Sequence, residues 1–138
     1  MKQVLQNLSD EERKSVVSYR LQKAKDTLNE IKDITNLGYW RTAVNRLYYA
    51  CYYAVSAMLV KHGYSTHTHS GVINMLGMHF VSNGIISKEQ GKFYGRLFEL
   101  RITGDYDDWA TFDAVNVQTL IAPAEEFIQE IEKLINKP

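Results

Sequence analysis

Three groups of residues in the sequence have side chains suited to chemistry. Arg46 stands among Tyr48, Tyr49, Tyr52 and Tyr53, His67 and His69 alternate with Thr68 and Ser70, and Arg101 leads into Gly104-Asp105-Tyr106-Asp107-Asp108. A guanidinium is costly to bury unless it meets carboxylates, carbonyls or a phosphate. Arg46 therefore either serves an anionic ligand or pairs with an acidic residue of the 105–108 stretch, while the tyrosines supply apolar bodies whose hydroxyls reach water or a partner. Two histidines two residues apart at a helix start suit general acid–base work or metal ligation, and equally a solvated helix cap. Arg101 and the acids after it suit a phosphate, a cation or a structural ion pair. The run D-Y-D-D lacks the ligand spacing of a calcium loop.

The elements that position these groups are helices. Trp40 to His62 is apolar around most of its circumference. Trp40, Ala43, Val44, Leu47, Cys51, Ala54, Val55 and Met58 recur at three- and four-residue spacing, so other helices must surround this one. Before it, Ser9 with Glu12 forms a capping box, and Val17, Leu21, Ala24, Leu28 and Ile31 continue a stripe to about Ile34. Asn36-Leu37-Gly38 is the stop, and so short a connection implies an antiparallel neighbour. After it, Thr68 or His69 opens a third helix that runs through Phe80 and halts at Asn83-Gly84. Ser87 with Gln90 opens a fourth, with Phe93, Leu97 and Leu100 inward, and Arg101 to Trp109 reads as a loop. A fifth runs from about Asp113 to Asn136, with a kink or break expected before Pro123. No stretch alternates with period two for long enough to make a strand. The expectation is an all-α, antiparallel up-and-down bundle of about five helices in one domain.

Composition narrows the function. A chain of 138 residues, 45% hydrophobic, can build a real core. Sixteen basic and sixteen acidic side chains leave no net charge, which argues against a dedicated duplex-DNA binder but leaves room for a small RNA or nucleotide site. Near-neutrality also favours self-association. The single cysteine, Cys51, reads as a small buried hydrophobe, and no Cys/His cluster suggests zinc. No cofactor or metal is expected. The polar, acidic N-terminus and the lack of an apolar run of about 20 residues point to a cytoplasmic protein with no membrane span. His62 and His79 read as structural.

RLYYACYYAVSAML on the second helix, THSGVINMLGMHFVSNG, the LxELRxxGDYDD pattern and AEEFIQEIEKLI together resemble the HEPN superfamily. The resemblance spans about residues 10 to 136 and is nearest the small stand-alone proteins related to the C-terminal region of the kanamycin-nucleotidyltransferase type. It implies a helical bundle of prokaryotic toxin–antitoxin or defence systems, often a homodimer and often encoded beside a minimal nucleotidyltransferase antitoxin. Many members are metal-independent ribonucleases with an Arg and a His separated by four to six residues. Others bind RNA or nucleotide without catalysis.

Carried onto this chain, the motif Arg falls on Arg101, and no histidine follows it. Asp105 and Tyr106 stand where His and Tyr are often found. Metal-free RNA cleavage needs a base for the 2′-OH proton and an acid for the leaving oxygen. Aspartate, with a reference pKa of about 3.9, serves only as the base. His69 or His67 supplies the acid if the third helix begins near the end of the fourth. The expected site is therefore Arg101, Asp105 and His69 for any catalysis, with Arg46, Tyr106, Tyr49 and His67 as binding groups. A non-catalytic RNA- or nucleotide-phosphate site is favoured over a ribonuclease, and over a pure docking partner of a nucleotidyltransferase.

Overall fold

The computed structural model describes residues 8–106 and 111–138. Among these residues there are helices and no strands: α1 (Asp10–Asn36), α2 (Trp40–Lys61), α3 (His69–Leu76), α4 (Lys88–Tyr106) and α5 (Ala114–Asn136). The all-α expectation holds, with four long helices and one short one.

Local chemistry sets most of the boundaries. The Ser9–Glu12 capping box forms in both directions, with Glu12 N–H donating to Ser9 Oγ at 3.1 Å and Ser9 N–H to Glu12 Oε1 at 3.2 Å. Gly38, Gly63 and Gly84 take positive φ at the three helix-ending turns, where a side chain would be strained. Thr68 caps α3 by accepting from Gly71 N–H, Ser87 accepts from Gln90 N–H ahead of α4, and Asp113 accepts from Asn116 N–H at the start of α5.

The long helices alternate in direction. Arg13, early in α1, donates to the Val60 carbonyl late in α2, whereas Arg46, early in α2, meets Glu30 late in α1. Arg41 at the start of α2 donates to the Gly104 carbonyl near the end of α4. Lys61 at the end of α2 donates to the Leu134, Ile135 and Lys137 carbonyls at the end of α5. The order is up, down, up, down, and α2 and α5 run parallel. All eight apolar positions named for α2 face the interior, with Trp40 at its margin. Tyr94, outside the stripe expected for α4, and Phe127 of α5 are fully buried and stack on each other with ring centres 5.7 Å apart.

Two expectations are corrected and a third is refined. Residues 101–106 are helical, so Arg101 and Asp105 sit one turn apart on α4 instead of in a loop. Gly104 allows this, because it is buried beneath Phe112 where no Cβ fits and its carbonyl is held by Arg41. The rest of that expected loop, residues 107–109, lies outside the described residues. Secondly, of the kink or break expected before Pro123, the break does not occur: α5 is one continuous helix through Pro123. Proline removes one hydrogen bond of the helix, while Val117, Ala124, Phe127, Ile128 and Ile131 on either side are buried in the core. Thirdly, the third helix continues from α3 as a π-helical turn over Gly77–Val81. His79 in that turn stacks on Tyr64 at 4.0 Å, and His62 packs edge-on to Phe80.

Candidate functional site

Tyr48 is where the site begins. It lies on the face of α2 turned toward α3 and α4 and is fully buried. A buried phenol needs a hydrogen-bond partner, and its oxygen lies 2.6 Å from His69 Nδ1. Burial pushes the Tyr48 hydroxyl up to about 12, so the phenol stays protonated. A protonated phenol can donate to Nδ1 or accept from it, according to the tautomer of the ring.

His69 is the first residue of α3. The Thr68 cap fixes the start of the helix, and Gly71 is required there because a Cβ would collide with the hydroxyls of Thr66 and Thr68. The imidazole lies against Tyr52 at 4.6 Å, Tyr49 at 5.8 Å and Phe98 at 6.4 Å. Burial, and then the Arg101 charge, lower its pKa. With Nδ1 accepting from Tyr48, the neutral ring carries its proton on Nε2. In that tautomer His69 presents an N–H donor.

Arg101 reaches the same cluster from α4. Its guanidinium carbon lies 5.6 Å from the centre of the Tyr48 ring and 5.3 Å from that of Tyr49. Its side chain is 17% exposed. Nε is 3.5 Å from Asp105 Oδ2, but off the line of a hydrogen bond, so the buried Nε–H is left without an acceptor. The pair has Arg before Asp at i,i+4, the weaker order, and places a carboxylate at the end of α4 where the helix dipole opposes it. Asp105 thus balances Arg101 without consuming its donors.

The other expected residues scatter. Tyr49 belongs to the cluster. Arg46 does not: it turns to α1, 3.7 Å from Glu30 and 3.5 Å from Thr27 Oγ1, which overturns its expected pairing with the 105–108 acids. His67 is exposed in the loop before α3 and takes no part in the ring contacts that hold His69. Tyr106 is 78% exposed at the end of α4. Asp107 and Asp108 lie outside the described residues. The sequence reading missed the roles of Tyr48 and Phe98. Their signal was weak, since a tyrosine in an apolar helix looks like core material.

Among the described residues no three His, Cys, Asp or Glu side chains come together to hold a metal, and no helix is long and apolar enough to cross a membrane. Cys51 is buried, and burial pushes its thiol far above the usual range.

The HEPN domain family model matches residues 17–134. The chain is 42% identical to a UPF0332 protein of Thermotoga maritima over 124 residues, 90% of this chain and 94% of that one. It is 30% identical over 115 residues to a protein of Methanocaldococcus jannaschii whose name marks it as a candidate toxin, covering 83% and 84% of the two chains. A second such protein of the same organism is 26% identical over 118 residues, covering 85% and 80%.

Proposed function

This chain belongs to the HEPN domain family, and from that premise we propose that it binds RNA or nucleotide phosphates at Arg101 and His69 as part of a prokaryotic toxin–antitoxin or defence module. One observation carries the reading: the Arg101 guanidinium lies across Tyr48 and Tyr49 with a buried Nε–H unspent, beside a histidine whose Nδ1 is already engaged. A phosphate oxygen is the natural acceptor for both donors, since charge-assisted bonds to arginine are the strong ones. Tyr49 adds a ring edge for a base or ribose, and Tyr106 stands exposed at the end of α4, five residues after Arg101.

The same geometry supports binding over cleavage. Cleavage without a metal needs one group ready to take a proton and another ready to give one. A His69 held neutral by burial and Arg101 is a poor acid near pH 7, Tyr48 holds its proton too tightly, and Asp105 faces Arg101. In this proposal His69 acts as a hydrogen-bond donor in place of an acid. Homodimerisation, and pairing with a nucleotidyltransferase antitoxin, are part of the same proposal, supported by the family membership alone.

The test is a binding and cleavage assay with single-stranded RNA in EDTA, wild type against Arg101→Ala. Binding without cleavage, lost in the variant, is the expected result. Cleavage that disappears in the variant would replace this reading with that of a metal-independent ribonuclease. Absence of both would leave docking to a protein partner as the function.

A further inference from the structure

Outside the site, α1 carries Arg20 and Lys23, neither of which pairs with a carboxylate among the described residues. Among the described residues the ion pairs are Lys25–Glu132, Arg46–Glu30 and Arg101–Asp105. Lys23 instead stands over the Tyr53 ring at 4.7 Å and 6.0 Å from the centre of Tyr19, while Arg20 donates to Ser56 Oγ at 2.5 Å. Tyr19 is 67% exposed.

Rings connect these cations to the site. Tyr53 lies 6.0 Å from Tyr49 and 5.8 Å from Tyr52, and those two rings touch Arg101 and His69 respectively. From Arg101 on α4, the series Tyr49, Tyr53, Lys23, Tyr19 continues across the seam of α1 and α2 in steps of 4.7 to 6.0 Å, with two adjacent rings between the two cations and a third ring at the end. The whole chain carries no net charge, and this side of the molecule sets Arg20, Lys23, Arg46 and Arg101 against Asp26, Glu30 and Asp105.

We propose that this seam is a track for single-stranded RNA leading away from the Arg101–His69 site, with Lys23 and Arg20 taking backbone phosphates and the exposed Tyr19 stacking a base. The proposal rests on the phosphate-binding reading of that site. A single strand offers both phosphates and open base faces, which suits a surface that carries cations and rings side by side. A duplex hides its base faces and would engage the cations alone.

The experiment compares a dinucleotide, a single-stranded RNA of about 12 nucleotides and a blunt duplex of the same length. Each is titrated against wild type, Lys23→Gln, Tyr19→Ala and Arg101→Ala, with folding of each variant checked by circular dichroism. Wild type is expected to bind the longer single strand more tightly than either the dinucleotide or the duplex. Tyr19→Ala weakens the long strand at least about fivefold, and Lys23→Gln reduces the slope of log affinity against log salt by about 0.7. Both variants keep dinucleotide binding, and Arg101→Ala loses both single-stranded ligands. If Lys23→Gln and Tyr19→Ala bind the long strand like wild type while Arg101→Ala does not, the track is overturned and the site stands. If the duplex binds as well as the single strand, base stacking is overturned. If wild type binds none of the three, the site reading fails and the track with it.

Discussion

The Tyr48 hydroxyl lies 2.6 Å from His69 Nδ1, tying the buried face of α2 to the first residue of α3. The bond engages Nδ1 of His69 and leaves Nε2 as the nitrogen open to a ligand. Tyr48→Phe removes the donor and leaves Nδ1 free to be protonated. The His69 pKa is expected to rise toward its ordinary value, and stability to fall by about 1 kcal/mol. Titration of the imidazole by NMR reads the first effect and urea unfolding the second. A His69 titration identical in the two proteins would show that the hydrogen bond does not control the ring.

Both His69 and His62 have pKa values lowered from 6.5, His69 by burial and then Arg101, His62 by burial and then Lys61. Where the folded pKa lies below the unfolded one, the unfolded chain binds more protons between the two, so stability rises with pH across that interval. The urea midpoint is therefore expected to fall as pH drops below 6.5 and to level off once the folded chain is protonated as well. His69→Gln should flatten part of that slope. A midpoint that rises on mild acidification would contradict the sign.

Asp105 balances Arg101 at 3.5 Å without hydrogen-bond geometry. If it competes with a bound phosphate, Asp105→Asn should tighten nucleotide binding by about threefold to tenfold and steepen its salt dependence. The cost in stability should be small, because partly exposed pairs contribute about 0–1 kcal/mol. Isothermal titration at two salt concentrations measures both effects. Weaker binding in the variant would mean that Asp105 positions Arg101 instead of competing for it.

Lys61 gathers three carbonyls at the end of α5, where orphan acceptors and the negative end of the helix dipole coincide. Lys61→Met keeps the apolar stem and removes the charge. It should cost about 1.5–3 kcal/mol and speed amide exchange in the last turn of α5. Exchange that accelerates evenly along the chain would point to global loosening in place of a frayed terminus.

Much of the fold was legible in the sequence because its signals are local. Ser9, Thr68, Ser87 and Asp113 mark helix starts through hydrogen bonds that span three residues. Gly38, Gly63 and Gly84 mark ends through backbone angles that other residues resist. The apolar circumference of α2 required neighbours on every side. Family membership was legible too, as an ordered series of such segments.

The site was legible only in part, and the reason is physical. Arg101, Asp105, His69 and Tyr49 were identified as residue types in the right stretches, but their partners are decided by helix direction and register. His69 meets Tyr48 across 21 positions of chain, and Arg101 covers Tyr48 only because α4 runs antiparallel to α2. Arg46 went to Glu30 for the same reason, since that edge of α2 borders α1. The continuation of α4 past Arg101 depended on Phe112 and Arg41 closing over Gly104, which no local propensity encodes. Sequence alone determined which helices form and what they must bury. Tertiary structure decided which polar groups meet, because each meeting is set by the packing of two helices and not by either one.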